Sequence, residues 1–221
     1  MGFSVLQKPY RPWPAEWEGS VETERVTCPL NTGHRRSGKR IGDLRIVLPN
    51  AKPADFVWTW YSDLLIGERA LALLTEAKIT GFETRPAETR HKNGKKPPGT
   101  FREVVVTGWG GVAPPASGIR YDEEQSCTTC GMLRYTGLEH AEELVDESQW
   151  DGSDIFIIWP LPAYLIVSDR FVNLIRKHRL SGLKWLPVEQ LSSIDSLGPG
   201  RLGYWMPEER ARLLGEPLGI A

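Results

Sequence analysis

Apolar positions change period along this chain, and the changes mark out strands and helices. Phe56-Val57-Trp58 and Leu64-Leu65-Ile66 are short unbroken apolar runs, the pattern of strands buried on both faces. Ala70, Leu73 and Leu74 follow at i, i+3 and i+4, which gives a helix one stripe facing the core. The same order returns with Ile157-Ile158-Trp159, Leu165-Ile166-Val167 and then Phe171, Leu174 and Ile175. A constant offset of 101 residues relates the copies. It extends to Ile79-Thr80-Gly81-Phe82 against Leu180-Ser181-Gly182-Leu183, and to Pro86 and Glu88 against Pro187 and Glu189.

Both helices start at equivalent points. Ser168 is a good N-cap, Gly67 holds its place in the first copy, and Asp169 or Glu68 follows where the helix dipole favours negative charge. Gly81 and Gly182 supply the positive φ that turns the chain into the next strand. Similar packing needs and true duplication both account for the repeat. Either origin predicts a mixed α/β (α+β) fold in which two similar strand-helix-strand units share a sheet, with Leu73, Leu74, Leu174 and Ile175 in the core.

Arg102–Thr107 reads as a strand pairing with Phe82–Arg85 across the polar, Gly/Pro-rich loop His91–Gly99, and Arg40–Leu48 as one more strand. The apolar stretch Ile155–Val167 carries Pro160 and Pro162 and falls short of the ~20 residues of a membrane helix, so it reads as buried strand. Residues 191–221 form an extension that is rich in Gly and Pro around Gly198-Pro199-Gly200. It ends in a short helix from Pro207 to about Leu214, with Glu208 and Glu209 in the first turn and Gly215 after it.

The 221 residues suit a single domain, 1–221, and the 40% hydrophobic and 25% charged fractions are those of a globular protein. The N-terminus lacks the basic start and apolar run of a secretory signal, and the residues after Gly2 depart from the myristoylation pattern. Three cysteines, two spaced C-x-x-C, suit a reducing compartment, so the expected location is cytoplasmic, with no membrane partner. A net charge of −1 makes nucleic acid an unlikely partner.

Cys127-Thr128-Thr129-Cys130-Gly131 is a knuckle-type half site: the spacing lets both thiolates face one ion, and Gly131 permits the turn behind them. Cys28-Pro29-Leu30-Asn31-Thr32-Gly33-His34 offers two further donors on one loop. Together, Cys28, His34, Cys127 and Cys130 would close a Cys₃His tetrahedron around a structural zinc, a zinc-ribbon-like clip at one edge of the fold. The alternative is a buried apolar Cys28, a loop histidine and a C-x-x-C without metal. Residues 131–137 look extended rather than helical, which disfavours thioredoxin-like chemistry.

No H-E-x-x-H, P-loop or G-x-S-x-G motif is present, so neither catalysis nor a small-molecule substrate is expected. Charge is uneven. Arg35, Arg36, Lys39, Arg40 and Arg45 cluster early, whereas Asp122–Asp154 holds ten acids against Arg134. Within that acidic stretch Asp146, Glu147, Trp150 and Asp151 are the candidates for contacting a basic protein partner, the alternative being an ordinary solvated face.

A Cys-Pro motif followed by C-x-x-C-G, and the closing pattern Ile166-Val167-Ser168-Asp169-Arg170-Phe171 through Leu180-Ser181-Gly182-Leu183, resemble the double-CXXCG-motif proteins over residues 25–190. These small bacterial proteins, expanded in myxobacteria, include Sit-type immunity proteins that protect a cell from a polymorphic toxin. The resemblance implies a cytoplasmic protein that neutralises a cognate protein toxin by binding it. It carries Cys28, Cys127 and Cys130 across. The second cysteine of the first motif is absent, since Asn31 stands there, and His34 as fourth ligand follows from ligand chemistry alone. A zinc-containing adaptor and an RNA-binding module using Arg35–Arg45 and Arg90–Lys96 remain as alternatives.

Overall fold

The computed structural model describes residues 2–9, 14–48, 52–95, 97, 99–194 and 200–221. Gly198 and Pro199 of the C-terminal extension lie outside the described residues, as do Lys96 and Pro98 of the 91–99 loop. The first part of the chain forms β1 (Phe3–Gln7), β2 (Glu16–Trp17), β3 (Thr23–Thr27), β4 (Arg35–Arg40), β5 (Leu44–Leu48), β6 (Phe56–Trp58), β7 (Leu64–Gly67) and α1 (Glu68–Glu76). There follow β8 (Phe82–His91), β9 (Phe101–Val106), β10 (Gly108–Val112), β11 (Arg120–Tyr121) and β12 (Tyr135–Thr136). The last part forms β13 (Ile155–Trp159), β14 (Ile166–Ser168), α2 (Asp169–His178), β15 (Lys184–Pro187) and α3 (Glu208–Gly215).

These strands build two large sheets, ordered β2-β5-β8-β9-β7-β6 and β10-β13-β14-β1-β15, and two small ones, β3-β4 and β11-β12. The expected common sheet is therefore corrected: β6, β7 and β8 lie in one large sheet and β13, β14 and β15 in the other. Within each, the hairpin is parted from the strand after the helix by an intruder. β9 separates β7 from β8, and β1 separates β14 from β15, all pairings being antiparallel. One four-strand layout thus occurs twice. In the second sheet the N-terminal strand β1 takes the place that β9 holds in the first.

Two further expectations change. Residues 155–167 make two antiparallel strands rather than one, because Pro160 and Pro162 offer no N–H to a ladder and the chain turns through Leu161 N–H to Ile158 O and Tyr164 N–H to Leu161 O. Arg40 closes β4 instead of opening β5, since Gly42 at φ 78° turns the chain between them. The Arg102–Thr107 segment does pair with Phe82–Arg85.

Alternate residues of the buried runs enter different clusters. Phe56, Trp58, Ile155, Ile157 and Trp159 join α1 and α2 in a central cluster between the sheets. Phe156 and Ile158 face a second cluster and Val57 a third. Burial on both faces is why these strands read as continuous apolar runs. Leu74 and Ile175 are fully enclosed, while Leu73 and Leu174 pack half-buried against the same cluster.

The two layouts hold each other at two reciprocal junctions. Asp55 accepts hydrogen bonds from the Ser181 N–H and hydroxyl, and Asp154 from the Thr80 N–H and hydroxyl. Arg69 and Arg170, each in the first turn of its helix, pair with Asp55 and Asp154 respectively. Each guanidinium also reaches the end of the other helix, Arg69 at His178 O and Arg170 at the Ala77 and Lys78 carbonyls. Gly81 and Gly182 have φ of 89° and 94°, and a Cβ on either would lie 1.9 Å from a carbonyl oxygen, that of Ile155 or of Phe56. Only glycine fits there.

Candidate metal centre and interaction surfaces

Hairpin β3–β4 carries the first pair of donors at its tip. The Cys28 N–H donates to His34 O and the His34 N–H to Asn31 O, which folds Cys28–His34 into a compact loop. The second pair sits on a knuckle where the Cys127 N–H donates to Met132 O at 2.7 Å and Gly131 turns with φ 66°. Arg201 braces this knuckle through the carbonyls of Thr128 and Thr129. A Cβ at Gly131 would come within 2.7 Å of Arg201 Nε, so glycine is needed for the approach as well as the turn.

These two segments converge. Cys28 Sγ lies 3.7 Å from Cys127 Sγ and Cys130 Sγ lies 3.9 Å from His34 Nδ1. All four donor atoms lie within 4.8 Å of one another, close enough to hold one metal ion. A tetrahedral zinc with ~2.3 Å bonds to sulfur would set S···S edges of about 3.8 Å, so the donor set fits. All three cysteines are free thiols. The Cys130 N–H, the largest influence, and the His34 ring bring the Cys127 thiol down to about 6, while burial pushes Cys130 up. Cys127 is thus poised as a thiolate, the form that binds metal. The Asn31 amide lies 3.0 Å from His34 Nε2 and holds the ring with Nδ1 toward the sulfurs. The four donors bring together the tip of the separate β3–β4 hairpin and the knuckle, rather than an edge of either large sheet.

The acidic stretch is less bare in space than in sequence. Asp151 pairs with Arg210, Asp154 with Arg170 and Glu139 with Arg120. Asp146 accepts from Ser148 and Gln149 of its own turn, and the Ser148 hydroxyl, first among these, holds its carboxyl below the usual range. Trp150 turns inward: its ring packs edge-on to Phe3 at 5.1 Å and against Phe156, and its indole N–H donates to Ser153 O. Glu142, Glu143 and Glu147 are exposed. The basic stretches are also partly neutralised, Arg40 by Glu103, Arg45 by Glu88, Arg90 by Glu18 and Lys92 by Glu16.

Residues 42–190 match the model of the immunity protein family Imm11, which covers most of the chain. The chain belongs to the Imm11 immunity protein family. No curated protein matches the sequence at a significant level. The Imm11 match includes Cys127, Cys130 and both reciprocal junctions, whereas Cys28, His34 and Arg201 fall outside it. The four candidate donors therefore come from both sides of the border of the Imm11 segment. Sequence reasoning missed Arg201, whose long reach to the knuckle has no local signature. Among the described residues no helix is long and apolar enough to cross a membrane.

Proposed function

We propose that this chain is a cytoplasmic immunity protein that neutralises a cognate bacterial toxin by docking onto it, with a structural zinc held by Cys28, His34, Cys127 and Cys130. Membership of the immunity protein family carries the docking reading. The four converging donors carry the metal. The zinc would couple the β3–β4 hairpin to the knuckle and so add its binding energy to folding. In a Sit-type protein of the double-CXXCG kind, His34 would stand in for the cysteine that Asn31 replaces.

The exposed carboxylates of Glu142, Glu143 and Glu147 would steer a basic toxin surface. Asp146, Trp150 and Asp151 then shape the loop that presents them. The family membership favours this reading over an adaptor, and the ion pairs on the basic stretches favour it over RNA binding.

Two measurements test it. The wild-type chain should bind the product of the neighbouring reading frame and protect a cell that expresses it; failure of both removes the immunity reading. Protein made in zinc-supplemented medium should hold about one equivalent of zinc, and chelation should lower its Tm. Retention of full thermal stability without zinc, or a Cys127→Ser variant with unchanged metal content, sinks the staple.

A further inference from the structure

A cleft of about 430 Å³ opens between hairpin β3–β4, strand β9, the turn around Tyr61 and the segment Gly203–Met206. That is the size of site that encloses a few side chains. Two of its acids are already engaged. Glu103 receives Arg40 Nη2 on both oxygens at 2.5 Å, with both side chains mostly enclosed. Asp63 accepts the Trp17 indole N–H at 2.7 Å and the Thr59 hydroxyl at 2.6 Å.

Two cations on the lining are not balanced in this way. Lys39 has no carboxylate within 4 Å among the described residues, and Arg85 reaches Glu83 only at 3.6 Å. Along another wall Trp17 and Tyr61 stack with ring centroids 3.9 Å apart, and Asp63 fixes the Trp17 ring. Tyr61 is 65% exposed and the adjacent Trp60 50%. Large aromatic rings held rigid at the surface are what dominates binding energy at protein interfaces.

Resting on the docking reading, we infer that this cleft holds an extended segment of the toxin in which a carboxylate neighbours an aromatic or large aliphatic side chain. The carboxylate would meet Lys39 and Arg85, and the apolar side chain would lie on the Tyr61–Trp17 stack. A basic segment would face Lys39 and the loosely paired Arg85, with both lining acids already spent on internal partners. The hairpin that supplies Lys39 ends in the Cys28–His34 loop, so the metal clip positions one wall of the cleft.

Random displayed peptides panned on full-length, zinc-loaded protein test the cleft directly. Recovered peptides should place Asp or Glu beside Trp, Phe or Leu, and their binding should weaken as salt rises. Lys39→Glu and Tyr61→Ala should each lower affinity about tenfold or more with an unchanged Tm. Enrichment of basic peptides, no enrichment, or acidic peptides that bind both variants as tightly as wild type would overturn the proposal. So would self-association that both variants abolish. Protection assays separate the two levels of the reading. If wild type and both variants protect equally against the neighbouring toxin, the cleft falls and immunity stands; if wild type gives no protection, immunity falls whatever the peptides show.

Discussion

Asp55 and Asp154 precede the matching hairpins of the two sheets and receive the same kinds of partner, yet their surroundings differ. Each takes two hydrogen bonds from the Ser/Thr-Gly turn of the opposite unit and an arginine from its own helix. The Asp154 side chain is 6% exposed and the Asp55 side chain 13%. The difference traces to one position. Ser168 gives its hydroxyl proton to Asp154 and also caps α2, whereas Gly67 at the corresponding place has no side chain to offer Asp55. A single hydroxyl thus provides an extra bond to the buried carboxylate and ties it to the start of the helix.

Removing the better-buried carboxylate should produce the largest effect. Asp154→Ala takes the shared acceptor from Thr80, Ser168 and Arg170, which keeps the Ala77 and Lys78 carbonyls, and should cost about 2–4 kcal/mol by denaturant unfolding, with Asp55→Ala clearly milder. Equal losses would mean that the two junctions are energetically alike. The glycines should instead behave symmetrically. Gly81→Ala and Gly182→Ala each force a Cβ into a carbonyl at positive φ, so losses of about 2–4 kcal/mol, matched within experimental error, are expected.

Ser168→Gly converts the second junction toward the first and should cost about 1–2 kcal/mol, through the bond to a charged acceptor and a weakened cap. The reverse change probes the same contrast from the other side. Gly67 has φ −81°, and its nearest neighbour to a new Cβ is 3.4 Å away, so Gly67→Ser fits and should raise stability by about 0.5–1 kcal/mol. A lower Tm for that variant would show that the hydroxyl cannot take up the geometry seen at Ser168.

The smallest effect is a pH dependence. Burial pushes the Asp55 carboxyl up, but the Ser181 N–H and hydroxyl and the Arg69 guanidinium together bring it below its ordinary 3.8. A depressed folded-state value contributes stability that is present above the unfolded value and is lost as pH falls through the folded one. Wild type should therefore lose stability below about pH 4 more steeply than Asp55→Asn, as acid titrations of Tm would measure. Parallel curves would remove Asp55 from the acid response.

Much of the local structure was legible because it depends on near neighbours in the chain. The i, i+3, i+4 stripes located α1 and α2 and the enclosed Leu74 and Ile175, and the turn glycines marked where each helix gives way to a strand. The donor set of the clip was legible too, since Cys and His on tight loops have few chemical uses. The order of strands was not. Nothing in the period of β1 or β9 says that each will enter a sheet between a hairpin and the strand after its helix, and the 101-residue offset cannot reveal it because β1 lies at the opposite end of the chain from β15. The charge balance of the acidic stretch was only partly legible for a related reason: charge counted along the sequence omits Arg170 and Arg210, which arrive from other elements.

By itself the sequence determined where α1 and α2 lie and the buried runs that lead into them, which residues could bind a metal, and that two similar units recur. These follow from periodicity and side-chain chemistry, which act over a few residues. Only the tertiary structure decided that the units occupy separate sheets, that Cys28 and His34 meet Cys127 and Cys130, and that each unit closes the turn of the other. Those outcomes depend on pairings across roughly a hundred residues, where backbone hydrogen bonds and the burial of both sheet faces choose among partners that look equivalent in the linear chain.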